Sequence, residues 1–432
     1  MDHLKKSLSP LLLWGIGVGN VISGMYFGWN LGLEKGGTFG MGIATLIIIL
    51  MYICFSYSYA ELACAIPKAG GGFDFTIRAF GKRVGFIAGI SQVILYLFGP
   101  PAIALGVATN LHLAFPQFPV IHSAIVVYII FTSINIIGVK TAASFEIVIT
   151  IIAVIGLLVF AFVAMHFFKF ENILIKPSIN GASGIVGSIP FAIWFFLGIE
   201  GLANVAEESA NPAKDLSRGF SYSIITLIFL CVITFIASIG VGGWEKIVFN
   251  NQNEVSDSPL PLALQMIYSN THWLYYFILY VSILGLVASF HGGLLAGGRA
   301  TFELSRIGFA PKILSQINHK FKTPTNALII NSLIGVIIII SGKTGQIITL
   351  AVFGLLTLYI LSMASLLQLR KTEPNLSRPF KVQIYPLMPV LALIICAFCF
   401  FAMVVSNVLL AGIFIAILVF SYVLFRFFFR FQ

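Results

Sequence analysis

PFAIWFFLGIEGLANVAEE, residues Pro190 to Glu208, is an apolar run that carries a carboxylate, Glu200, between Gly198 and Gly201. An acidic residue at the centre of a membrane helix costs about 2.5 to 3.5 kcal/mol on insertion scales, so it faces a cavity or a partner inside a helix bundle rather than lipid. Glycine is the residue at which helical backbone opens at least cost. The stretch therefore predicts an interrupted membrane helix and half of a small-molecule site. The other half has to come from elsewhere in the chain.

Composition places the whole chain in a bilayer. Of 432 residues, 59% are hydrophobic and 9% charged, and the mean hydropathy is +1.01, outside the range of soluble globular domains. Apolar segments fall at about 11–33, 40–65, 84–113, 120–138, 142–166, 186–205, 219–241, 273–298, 326–341, 346–369, 386–406 and 409–429, which predicts an all-α protein of twelve transmembrane helices in a single domain. Met1 to Pro10 is short and polar and runs straight into the first apolar segment, so that segment reads as a retained span rather than a cleaved leader. The five cysteines, Cys54, Cys64, Cys231, Cys396 and Cys399, sit in or at the ends of apolar segments and read as small packing residues, the C-x-x-C spacing of the last two included.

The net charge of +10 follows topology, not nucleic acid. With twelve spans, 20 of the 25 Lys and Arg residues lie on the side of the termini, and only Lys35, Lys169, Lys176, Lys246 and Lys343 lie opposite. This asymmetry puts both termini in the cytoplasm, and the basic clusters Arg299 to Lys322 and Arg370 to Lys381 read as retention signals attracted to anionic membrane lipid. The outer loop from Gly242 to His272 contains Asp257-Ser258-Pro259-Leu260-Pro261, a break expected to start a short helix in an outer lid.

Segment 1, WGIGVGNVISGMYFGWNLG, carries glycines at 15, 17, 19, 24, 28 and 32 with Asn20 and Ser23 among them. Helix packing accounts for the glycines but not for the polar pair. Glycine-interrupted spans at corresponding positions of two halves point to the midplane site of an inverted-repeat transporter. The expected halves are segments 1 to 5 (about 11–166) and 6 to 10 (about 186–369), with segments 11 and 12 (about 386–429) accessory. An opened helix exposes amides on one side and carbonyls on the other. The expected substrate-binding residues are therefore Asn20, Val21, Ile22, Ser23 and Gly24 from the first break, with Trp194, Phe195, Gly198, Glu200 and Gly201 from the second. Phe196 joins the aromatics as an apolar or cation–π wall, ordinary packing being the alternative.

Three further stretches carry a resemblance. Ala60 to Gly81 (AELACAIPKAGGGFDFTIRAFG), Glu207 to Asp215 (EESANPAKD) and Arg299 to Pro311, with RIGFAP at Arg306 to Pro311, resemble motifs of the amino acid-polyamine-organocation (APC) superfamily of secondary transporters. Val21 to Leu33, Tyr96 to Gly106, Ile189 to Ala203 and Ala288 to Gly292 are similar to segments of bacterial ethanolamine permeases within it. The resemblance implies a LeuT-like core of five-plus-five inverted repeats with discontinuous helices 1 and 6, alternating access, a bacterial cytoplasmic (inner) membrane, and a small organic amine such as ethanolamine as cargo. One position departs: an acidic residue commonly follows the Ser-Gly of segment 1 in that family, and Met25 stands here, which keeps a neutral or cationic amino acid as the alternative cargo. For coupling to H+ or Na+, relatives place a lysine near Ala153. The candidates here are Glu200 and Glu146, carboxyl groups whose proton affinity burial and a cationic ligand would tune in opposite directions. His291 is a further ligand candidate; Glu61 and Glu303 read as gate or loop anchors.

Other classes fare worse. The histidines, His3, His112, His122, His166, His272, His291 and His319, show no metal-ligand spacing, so no enzyme, metal site or cofactor is expected. No G-x-x-x-x-G-K-[ST] motif supports ATP-driven pumping. A transporter-like sensor that binds without transporting is the remaining alternative.

Overall fold

The structure is a computed structural model and describes residues 8–138, 142–209, 211–269 and 271–428. Lys5, Lys6, Lys140 and Arg430 of the charge count, and Ala210 within the Glu207–Asp215 motif, lie outside the described residues. Among the described residues no strand forms; two isolated bridges, Leu8 with Ser209 and Phe249 with Val255, are the only extended pairings. Apolar sequence with every backbone group bonded inside its own segment is what a bilayer demands.

Nine helices are long and apolar enough to cross a membrane, and three shorter apolar ones, Pro10–Tyr26, Gly181–Trp194 and Thr325–Ile339, accompany them among the described residues. The first segment is broken into α1 (Pro10–Val21) and α2 (Ser23–Tyr26), after which Phe27 is extended. Its far end resumes at Leu31 and runs into α3 (Leu31–Ala65), where Gly37 at φ 65° turns the chain from the first segment into the second. α4 (Gly72–Phe80) lies in the loop before α5 (Lys82–Ala114), followed by α6 (Val120–Ile137) and α7 (Ala142–His166).

A short α8 (Phe170–Ile173) leads to α9 (Gly181–Trp194), and the chain reforms only as the single turn α10 (Gly201–Asn204) before α11 (Pro212–Gly242). The helix expected after Asp257 is α12 (Pro259–Gln265). α13 (Trp273–Arg306), α14 (Thr325–Ile339), α15 (Thr344–Thr372), α16 (Leu387–Ser406) and α17 (Val408–Phe428) complete the chain. α5 packs between α13 and α15, and α3 packs on α9 and α11, while α16 and α17 flank α15 at the periphery.

The core runs through the two interrupted segments, whose hydrophobic residues are almost all buried. The peripheral α17 leaves Val408 and Leu409 at 70% and 76% exposure, the expected face toward lipid. All five cysteines are buried and free.

Candidate functional site

The first break has an identifiable cause. In an unbroken helix the Ser23 amide would donate to the Gly19 carbonyl; here it donates to Ser289 Oγ of α13 (3.1 Å), and Ser289 Oγ donates to Gly19 O (2.6 Å). A hydroxyl inserted into the i→i−4 ladder is one of the few physical causes of a sharp interruption. Below it Ile22 N still reaches Val18 O at 2.8 Å, and above it Met25 N reaches back only three residues, to Ile22 O at 3.0 Å.

The second break, from Phe195 to Glu200, is held by its own carboxylate. Gly198, at φ 114°, donates its amide to Glu200 Oε2 (3.2 Å), and Tyr359 of α15 donates its hydroxyl to the same oxygen (2.6 Å). Glu200 Oε1 is buried without a hydrogen-bond partner among the described residues. The chain then restarts through three-residue turns, Gly201 N to Gly198 O at 3.0 Å and Ala203 N to Glu200 O at 3.0 Å.

The two breaks cross each other antiparallel. A Cβ on Gly198 would stand 2.9 Å from Asn20 O, and one on Gly24 would meet Trp194 O and stand 2.9 Å from Phe195 Cα. Further out, Ser188 Oγ donates to Gly32 O at 2.7 Å. Both glycines are required by this close approach of backbone to backbone.

Most of the residues singled out in the sequence meet at this crossing. Asn20, Gly198, Ser289, Gly292, Tyr96 and Pro100 line a cavity of about 20 Å³, room for roughly one water molecule. Val21, Ile22, Ser23, Gly24 and Gly201 lie in or beside the two breaks and are buried, outside the lining of the cavity. Asn20 Oδ1 lies against Gly292, and Glu146 Oε1 of α7 lies beside Gly292 and Gly19; neither oxygen has a partner among the described residues.

Other members of the expected set look elsewhere. Trp194 Nε1 donates to Phe27 O (3.0 Å), and Phe195 stacks on Trp29 with ring centroids 5.3 Å apart. Glu200 faces α3 and α15: Tyr359 stacks on Phe55 (3.6 Å), and Tyr52 lies 5.0 Å from Phe196 and 5.8 Å from Tyr359. His291 turns away from the cavity, its Nδ1 3.2 Å from Asn135 Nδ2 on α6 and its ring beside Phe131.

Ser289, Tyr359 and Tyr96 were not in the expected set. Ser289 stands two residues before His291 in the quoted Ala288–Gly292 stretch, and Tyr359 is a polar tip in an apolar span. Both were visible as residues, but their partners lie 266 and 159 positions away.

The site is closed from both ends. At the end away from the N-terminus, Gly28 N donates to Asp257 O (2.8 Å), while Asn30 Nδ2 donates to Ile247 O and Ser256 O, both at 2.7 Å. At the N-terminal end, Leu8 N donates to Glu208 O (3.0 Å), Arg299 pairs with Glu208 (2.8 Å), and Ala69 N donates to Glu207 Oε1 (3.1 Å). Asp257 Oδ2 accepts from Thr344 Oγ1 (3.0 Å), and burial in the loop before α12 pushes its carboxyl above the ordinary range.

Two broken helices crossing over a small occluded cavity, with closures above and below, define an integral membrane protein of the transporter class. The chain belongs to the amino acid permease family, whose model matches residues 8–428. It is 27% identical to an uncharacterized transporter of Rhizobium meliloti over 93% of this chain and 87% of that one. It is 26% identical to the branched-chain amino acid permease BcaP of Bacillus subtilis, over 91% and 87%. It is also 26% identical to the mouse large neutral amino acids transporter small subunit 2, over 96% and 79%. Its fold is that of a manganese transporter of Eremococcus coleocola, solved as a point mutant, at a TM-score of 0.57 and 16% identity over 96% and 95% of the two chains.

Proposed function

We propose that the protein is a secondary active transporter that carries a small organic amine such as ethanolamine by alternating access, coupled to H+ or Na+. The observation that carries this reading is a set of unpartnered buried acceptors at and beside the crossing. Glu200 Oε1, Asn20 Oδ1 and Glu146 Oε1 are all buried acceptors without donors among the described residues. Buried polar groups without partners are costly, and an ammonium group, three donors and no acceptor, is the complement they lack. The aromatic rings around Glu200 add faces suited to a cation.

The antiparallel crossing supports twelve spans arranged as two inverted five-helix repeats, about 11–166 and 186–369, with α16 and α17 accessory. Rocking about the crossing would break the outer and inner closures in turn. The basic residues support cytoplasmic termini and a bacterial cytoplasmic membrane. Asn20 to Gly24, Trp194, Phe195, Gly198, Glu200 and Gly201 are the substrate contacts in this reading, with Ser289 holding the first break and Glu200 and Glu146 the coupling candidates. His291 joins only if α13 rotates.

Family membership and relatives named for branched-chain and large neutral amino acids favour a second reading, an amino acid permease. Uptake of labelled ethanolamine and, separately, of labelled leucine into proteoliposomes separates the two. Labelled ethanolamine should be taken up and displaced by short amines; uptake of leucine, undisplaced by ethanolamine, with no uptake of ethanolamine would sink the amine reading and leave the amino acid one. Glu200→Gln, which keeps size and hydrogen bonding, should retain partial binding while uptake loses its pH dependence. An unchanged pH profile would remove Glu200 from coupling.

A further inference from the structure

A second cavity, of about 780 Å³, opens at the outer end of the molecule, distinct from the crossing. Its volume is in the range of small-molecule sites, roughly 300 to 1,000 Å³. Its walls come from both interrupted segments (Leu31 and Phe191), from the outer lid and the start of α15 (Asp257, Lys343) and from the α16–α17 turn through Val408 and Leu409. The last two residues are 70% and 76% exposed, so one wall continues into the lipid-facing surface.

The polar lining carries both signs of charge. Lys35 and Lys343 are two of the five basic residues assigned to the outer side. Lys35 is held by Glu34, Nζ to Oε2 at 3.2 Å, whereas Lys343 makes no ion pair among the described residues. Asp257 bonds Thr344 through one carboxylate oxygen. An unpaired lysine, two carboxylates within the same lining and an apolar wall open to lipid are matched by a molecule with a phosphate, a hydrogen-bonding ammonium and an acyl chain.

We propose that this cavity binds one outer-leaflet phospholipid with a primary-amine headgroup, its phosphate on Lys343, its ammonium on Glu34 and Asp257, and a chain along Phe191, Val408 and Leu409. A lysine meets phosphate as a point charge, and carboxylates reward an ammonium that keeps its N–H donors. The bound lipid touches both interrupted segments and the lid that bonds Gly28, so its affinity differs between the closed and open states of the outer side. A ligand shifts a conformational equilibrium only by such a difference.

The test uses the purified, delipidated full chain and the thermal shift produced by dioleoyl phosphatidylethanolamine, phosphatidylcholine and phosphatidylglycerol. Phosphatidylethanolamine should stabilise most, and native mass spectrometry should retain one copy. Lys343→Ala should raise the concentration for half-maximal shift about tenfold, the worth of one charge-assisted contact. Lys246→Ala, an outer lysine absent from the lining, should leave it unchanged. Equal shifts from the three lipids, or a Lys343→Ala response equal to that of the parent, would overturn the proposal. So would an equal shift from soluble glycerophosphoethanolamine, because the apolar wall would then be idle.

Discussion

Glu61 and Glu200 are both buried carboxylates, and the donors around them separate their roles. Glu61 is fully buried, with donors on both of its oxygens: Arg370 binds it with two bonds of 2.7 and 2.8 Å, Val382 N donates at 2.8 Å, and Arg378 Nε lies at 3.4 Å. Arg370 also stacks over Tyr385 at 4.5 Å, and Arg378 donates to Leu369 O in the last turn of α15 and to three carbonyls of the loop that follows. That saturation describes an anchor between α3 and the α15–α16 loop. Removing one partner of a buried pair strands the other charge, so Glu61→Ala should cost about 3 kcal/mol, measurable as a lowered denaturation midpoint in detergent. A midpoint within error of the parent would mean the arginines find other acceptors. Glu200 differs because one oxygen carries two donors and the other none, which is why a ligand role attaches to it and not to Glu61.

At the scale of elements, each break rests on a residue from another helix: Ser289 of α13 for the first and Tyr359 of α15 for the second. Gly198 is the position where the second break allows no alternative. At φ 114° an L side chain is strained, and its Cβ would stand 2.9 Å from the Asn20 carbonyl. Backbone strain of this kind is worth about 1 to 3 kcal/mol. Gly198→Ala should therefore lower stability by that order and reduce substrate-induced stabilisation, read as the shift in unfolding temperature with ligand. A full ligand shift in Gly198→Ala would show that the crossing can separate without losing the site.

For the whole molecule, the closure through Asp257 carries a pH signature. Burial raises the Asp257 carboxyl, so the folded protein holds that proton at pH values where the unfolded chain, near pKa ~3.9, has released it. The native state then binds more protons, and stability falls as pH rises from the ordinary carboxylate range through the raised folded value. Glu34, Lys35 and Lys343 share the adjoining cavity and set the local field. Asp257→Asn should flatten the fall in thermal stability over that window while keeping the Thr344 bond. A slope identical to the parent's would assign the pH response to another group.

Much of this was readable before any fold was known. Segment ends in the structure agree with the apolar runs to within a few residues for most helices, because burying apolar surface in lipid and bonding backbone within a segment are local demands. Interruptions at Asn20–Gly24 and around Gly198–Glu200 were legible for the same reason, as glycine and polar side chains stand out against apolar sequence. What closes each break was not legible: Ser289 and Tyr359 act across more than a hundred residues, and residue type does not say which way a side chain turns. His291 and Ser289 make the point, being two positions apart on one helix, one facing α6 and the other inserted in the first break. The sequence by itself determined a bundle of apolar helices with two weak points and a carboxylate at one of them. Only the tertiary structure decided that the weak points cross, which oxygens are left without donors, and how the molecule closes at both ends, because those depend on which helix faces meet.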